Sequence, residues 1–111
     1  MYLVIKTSQE EVERRGSLFE AARGHWVLNP EHASKCSHAI ITLRGDKEVK
    51  AVYDIDGWYP STLLDDRYVF AGNENLDLES KLVGRTLNPR LTAQGRENPI
   101  SYIEESKLLE A

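Results

Sequence analysis

Cysteine is almost absent from this 111-residue chain. The lone Cys36 cannot form an internal disulfide, so folding needs no oxidising compartment. Metal-ligand spacing is missing too. His32 and Cys36 share a helix face at i, i+4, with His25 and His38 nearby. Zinc sites, however, pair ligands at two separated places, and the second pair is lacking. Long apolar runs are also missing. The opening Met1–Thr7 is too short for a signal-peptide core or a membrane span and reads as a first strand. These absences lead us to expect a cytoplasmic protein with no membrane contact and no cofactor. Basic charge is scarce overall: 14 Lys and Arg against 18 Asp and Glu leave a net charge of −4. That argues against strong non-specific nucleic-acid binding, which depends on cations to displace counterions.

Catalytic signatures are likewise thin. Asp54 with Asp56, and Asp65 with Asp66, are the carboxylates available to a divalent ion. No Glu-x-Lys pattern accompanies them, and Asp at a strand end or turn is favoured for its own backbone bonds. Ser34, Cys36 and Ser37 neighbour His38 only in sequence, which is no evidence for a triad.

What is present is a globular composition, 41% apolar and 29% charged, long enough for one domain over 1–111 with a real core. Ser8 with Glu11 forms a capping box that opens a helix over about 8–15, broken by Gly16. Ser17 with Glu20 repeats it for Leu18–Arg23, ending at Gly24. Trp26–Leu28 reads as extended. Asn29-Pro30 reads as an N-cap followed by Pro at the first helical position, opening a helix to about Cys36. From His38 to Ile55, period-two alternation on both sides of Gly45-Asp46 predicts a β-hairpin. Asp56–Pro60 reads as a loop or tight corner, and Tyr68–Ala71 as a strand ending at Gly72-Asn73. Asn75 caps a helix over Leu76–Val83, closed by Gly84. Arg85–Leu87 and Pro99–Ile103 are the last strand candidates. Such a chain is expected to be α+β: a small bent sheet or partly open barrel with short flanking helices.

Several runs carry a resemblance. Gly24-His25-Trp26-Val27-Leu28, the Pro30 helix, the hairpin leading to Val52-Tyr53-Asp54-Ile55 and Trp58, Arg67–Gly72 and Asn98-Pro99-Ile100 together resemble a small bacterial domain. That domain accompanies nuclease and restriction-type proteins. The order of elements is similar to the PUA-like barrel superfamily, which includes the PUA, ASCH and EVE domains. Met1–Lys6 also looks like the strand that begins EVE domains, although the match stops at Lys6. The Gly-x-Lys-x-x-Glu-x-Arg signature of ASCH domains is absent.

The resemblance implies recognition of a nucleic acid, often through a modified or flipped base held in an aromatic-walled pocket. An aromatic face replaces the lost stacking at about 1–3 kcal/mol per base, while Arg or Lys holds the flanking phosphate. The expected ligand contacts are Trp26, Trp58, Tyr53, His25 and Asn98. The expected phosphate contacts are Arg23, Arg67, Arg85, Arg90 and Arg96. Each residue also has a plain structural reading. Tyr53 and Phe70 fall on apolar strand faces as core residues. Trp26 leans towards the core, Arg23 towards a helix C-terminus, and His25 towards the surface. Arg85, Arg90 and Arg96 read as solvated loop charges and Asn98-Pro99 as a turn. Trp58 is the better candidate for touching a ligand. The alternatives are a protein-interaction domain docking through an exposed strand edge, which the net negative charge favours, and a small enzyme.

Overall fold

The computed structural model of the chain describes residues 2–87 and 100–104. Its elements run β1 (Tyr2–Thr7), α1 (Gln9–Arg15), α2 (Leu18–Arg23), α3 (Pro30–Ala33), β2 (His38–Leu43), β3 (Ala51–Pro60), β4 (Tyr68–Glu74), α4 (Leu76–Leu82) and β5 (Ile100–Ile103). The five strands form one mixed sheet in the order β4-β3-β2-β1-β5. Among the described residues this sheet is open, with β4 and β5 at its edges, and no barrel closes. The α+β class is as expected.

Helix starts follow the capping chemistry. Ser8 Oγ accepts from Glu11 N, Ser17 Oγ from Glu20 N, and Asn75 Oδ1 from Leu78 N. Each satisfies a backbone donor that the first helical turn leaves orphaned. Pro30 opens α3, as Asn29-Pro30 implies, but α3 ends at Ala33, short of Cys36. The run Trp26–Leu28 contributes one bridge, Trp26 to Tyr68, which covers the outer edge of β4. Thr86 likewise makes a single bridge, to Glu48.

The hairpin forms with Ile41 opposite Ala51 and His38 opposite Asp54. Its connection is longer than a two-residue turn, with Gly45 at φ +85°. The expected corner at Asp56–Pro60 does not form. Instead β3 runs straight through it to Pro60, paired with β4 as far as Tyr68. The Asp-Gly signal marks a β-bulge: the register shifts between Ile55 and Gly57, so Asp56 is the extra residue. A bulge reverses the in–out alternation beyond it. Tyr53 and Ile55 therefore share a face with Trp58, opposite Phe70, although their spacing is odd.

The β1–β2 pair is parallel, with Tyr2 beside His38 and Thr7 beside Leu43. A parallel pair needs a long crossover, which α1, α2 and α3 supply. Both faces of the sheet are covered. On one, Leu3, Ile5, Ala39, Ile41, Tyr53 and Phe70 pack with Ala22 of α2, backed by Phe19, Trp26 and Trp58. On the other, Val4, Ile40, Val49, Val52 and Leu87 pack with Leu82 of α4.

Candidate functional site

At the carboxyl ends of the parallel pair, β1 hands over to α1 at Ser8 and β2 ends beside Arg44. The Arg44 N–H donates to Thr7 C=O at 2.7 Å, so the two strand ends are tied together. A cavity of about 290 Å³ opens there, lined among others by Thr7, Arg14, Arg15, Trp26, Arg44 and Arg67. Ligands of open α/β sheets characteristically sit outside the carboxyl ends of parallel strands. A second cavity of about 510 Å³ adjoins it, walled by Arg23, Tyr59, Pro60, Leu63 and Val69. Arg15 and His25 line both cavities, so the two form one cleft with His25 at the junction.

Electrostatics distinguish the first cavity. Four arginines and Lys6 line it against one carboxylate, Glu11. Arg14 Nη2 and Arg15 Nε both donate to Glu11, at 2.6 and 2.8 Å, and together they hold its carboxyl below the usual carboxylate range. Arg67 donates to His25 C=O at 3.3 Å. Neither Arg44 nor Arg67 has an ion pair among the described residues. At the floor lies Thr7, 4% exposed, whose Oγ1 has no hydrogen-bond partner among the described residues.

His25 is held in one tautomer. Ser61 Oγ accepts from the N–H groups of Leu63 and Leu64 at 3.0 Å each, which fills its two lone pairs. Its own proton therefore goes to His25 Nδ1, 2.6 Å away. In the neutral ring this arrangement leaves the N–H at Nε2. Burial pushes the imidazole pKa down, and the nearby charges of Arg15, Arg23 and Arg67 push it further. The same serine pins the loop 61–67 that carries Leu63, Leu64 and Arg67 beside the cleft.

Of the residues singled out in the sequence, His25, Trp26, Arg23 and Arg67 come together here. Trp26 is half-buried and lines the cleft while its Nε1 donates to Ala22 C=O at 2.7 Å. Arg23 pairs with Glu20 at 3.2 Å and lies over the Phe19 ring. Trp58 lines neither cavity. It sits on β3 with its ring edge-on to Phe70, centroids 5.4 Å apart, and its Nε1 is buried without an acceptor among the described residues. Tyr53 is buried between Phe19 and Phe70, where desolvation pushes its phenol up to about 12. Arg85 follows α4, its backbone bonded to Val49 and Leu82, and it lines neither cavity. Arg90, Arg96 and Asn98 lie outside the described residues.

Sequence reasoning missed Thr7, Arg14, Arg15, Arg44 and Tyr59. The only local signal was the Arg14-Arg15 pair before Gly16, and a pair in a last helical turn reads first as a response to the helix dipole. The histidines go three ways. His38 Nδ1 donates to Asp54 at 2.8 Å, and His32 stacks on Tyr102 at 4.2 Å. Cys36 is buried, which pushes its thiol pKa up. Among the described residues no group of three or more His, Cys, Asp or Glu side chains could hold a metal ion. No described helix is long and apolar enough to cross a membrane. Comparison with protein-family models, curated proteins and solved structures finds no match to this chain.

Proposed function

We propose that this is a cytoplasmic domain that binds nucleic acid, gripping phosphate in the arginine-lined cleft at the carboxyl ends of β1 and β2. The observation that carries this is the convergence of Arg14, Arg15, Arg44 and Arg67 on one cavity of a chain whose net charge is −4. Local cation density, not net charge, sets the field a phosphate meets. Arginine suits the task because its planar fork matches phosphate oxygens two at a time. The resemblance to PUA-like domains supports the same ligand class, and a partly open PUA-like barrel belongs to this reading on that ground. Stacking then falls to Tyr59, which is 54% exposed and lines the second cavity, rather than to Trp58.

Titration of a fluorescent single-stranded oligonucleotide at low salt tests the reading. Binding is expected to weaken with salt, at a slope of about −0.7 per phosphate contacted, and to weaken about tenfold or more in R44Q/R67Q. Absence of binding at low salt, or binding indifferent to that double variant, overturns it.

A second reading, docking of a protein partner, is favoured by one observation. Val27, Leu63 and Leu64 are large apolar residues at 66%, 73% and 48% exposure, and the latter two flank the cleft. Binding to a partner through them would be salt-insensitive and lost in L63S/L64S, with R44Q/R67Q without effect.

A further inference from the structure

The cleft is divided, and its two halves differ in chemistry. We propose that it takes a terminal phosphate monoester, with the phosphate among the arginines above Thr7 and the attached nucleoside in the cavity beyond His25. This rests on the nucleic-acid reading above and narrows it to the end of a strand or a free mononucleotide, which share that group.

Three observations carry it. The first is charge. Glu11 is shared by Arg14 and Arg15, so its one negative charge answers two cations, while Arg44 and Arg67 have no ion pair among the described residues. An internal phosphodiester brings one negative charge. A monoester brings about 1.5 to 2 at neutral pH and three strong acceptor oxygens, which suits an excess of this size better.

The second is the floor. Thr7 is 4% exposed and lines the cavity, yet its hydroxyl is unpartnered among the described residues. Buried polar groups are nearly always satisfied, and a small turn of this side chain towards the cavity would let a ligand oxygen seated between the arginines satisfy it. Thr42 supplies the comparison. It is fully buried, with an Oγ1 likewise unpartnered among the described residues, but it lines neither cavity.

The third is the continuation. Past His25 and Arg15 the walls become Tyr59, Pro60, Leu63 and Val69, an apolar and aromatic lining suited to a ring system. His25 lines both cavities and so lies where the ester oxygen and sugar of a nucleotide follow its phosphate.

The test uses one short labelled oligonucleotide in three forms: 5′-phosphorylated, 3′-phosphorylated, and hydroxyl at both ends. Unlabelled adenosine monophosphate serves as competitor. A terminal phosphate at one end is expected to tighten binding about tenfold or more. R44Q is expected to remove that preference. T7V is expected to reduce it several-fold while T42V leaves it unchanged, and thermal melts of both valine variants confirm that they fold. Displacement by adenosine monophosphate assigns the site to free mononucleotides, and failure to displace assigns it to strand ends. Either result upholds the monoester. Equal affinity for all three forms overturns this inference and leaves the nucleic-acid reading standing. No binding of any form overturns both. Loss of preference in T42V as well as T7V also overturns it, because the effect would then belong to the core.

Discussion

At the scale of single residues, the hydroxyls of Thr7 and Thr42, unpartnered among the described residues, cost stability. A buried donor without an acceptor forfeits its water without compensation. T7V and T42V are each expected to raise stability by about 1 kcal/mol, read as a higher urea midpoint. Only one of them, T7V, is expected to pay in binding. His25 gives a second expectation, in pH. Its folded-state pKa lies below the ordinary value of 6.5 because burial and neighbouring arginines disfavour the imidazolium. A depressed pKa means that the folded state binds fewer protons than the unfolded one. Stability is therefore complete above about pH 6.5 and falls as pH drops through the folded pKa. Protonation also places a hydrogen on Nδ1, facing a serine oxygen whose lone pairs are already filled. H25Q is expected to flatten this acid slope in urea titrations below neutral pH. None of this was legible in advance. His25 beside Trp26 drew attention in the sequence, but its partner Ser61 is 36 residues away and in no motif.

At the scale of elements, the starts were the most legible features, because a capping side chain and the amide it serves are three residues apart. Ser8, Ser17 and Asn75 all cap where the sequence placed them. The path of β3 was less legible, because Asp-Gly followed by Pro60 is also what a turn looks like. Only the long-range pairing with β4 distinguishes a bulge from a corner. Gly72 is part of that pairing: a Cβ there would run into the carbonyl oxygen of Asp54. Backbone cannot step aside as a side-chain tip does, so G72A is expected to cost about 3 kcal/mol, measured by chemical denaturation. Helix α4 is fastened from its own side. Glu79 Oε2 accepts from Val52 N at 3.0 Å, and Asn75 Nδ2 donates to Asp54 at 2.9 Å. Burial first, then the neighbouring Glu74, raises the Glu79 pKa above its ordinary 4.5. A raised folded-state pKa contributes stability that is present below the ordinary value and lost as pH rises through the folded one. E79Q keeps an acceptor for Val52 without carrying charge. It is expected to be more stable than the natural chain at neutral pH, with the difference vanishing in acid.

At the scale of the whole molecule, the fold class was legible and the arrangement of the sheet was not. Alternation marks strands, but nothing local says that β1 lies parallel to β2. That pairing places Thr7 beside Leu43 and so brings Arg44 to the α1 arginines from across the crossover. Net charge hides the cleft for the same reason. A sum over the chain cannot register that cations from α1, the end of β2 and the 61–67 loop meet at one place. Arg85, an expected phosphate contact, lines neither cavity. The sign of the field over the cleft follows from the assembled sheet. Lowering ionic strength is expected to strengthen binding of a phosphorylated oligonucleotide despite the protein's net charge of −4. A titration across salt concentrations checks it.

Strand β3 behaves like a message with a reading frame, and Asp56 is its one inserted letter. Upstream of it the odd-numbered residues face α2. Downstream, Trp58 takes that place and Tyr59 is left to the cleft. Deleting Asp56 would remove the bulge and leave both rings where they are, whereas pairing Asp56 as an ordinary strand residue would exchange them: phenol inward, indole outward. The choice of which aromatic meets a ligand is therefore written in the pairing of the strand rather than in the identity of the residues.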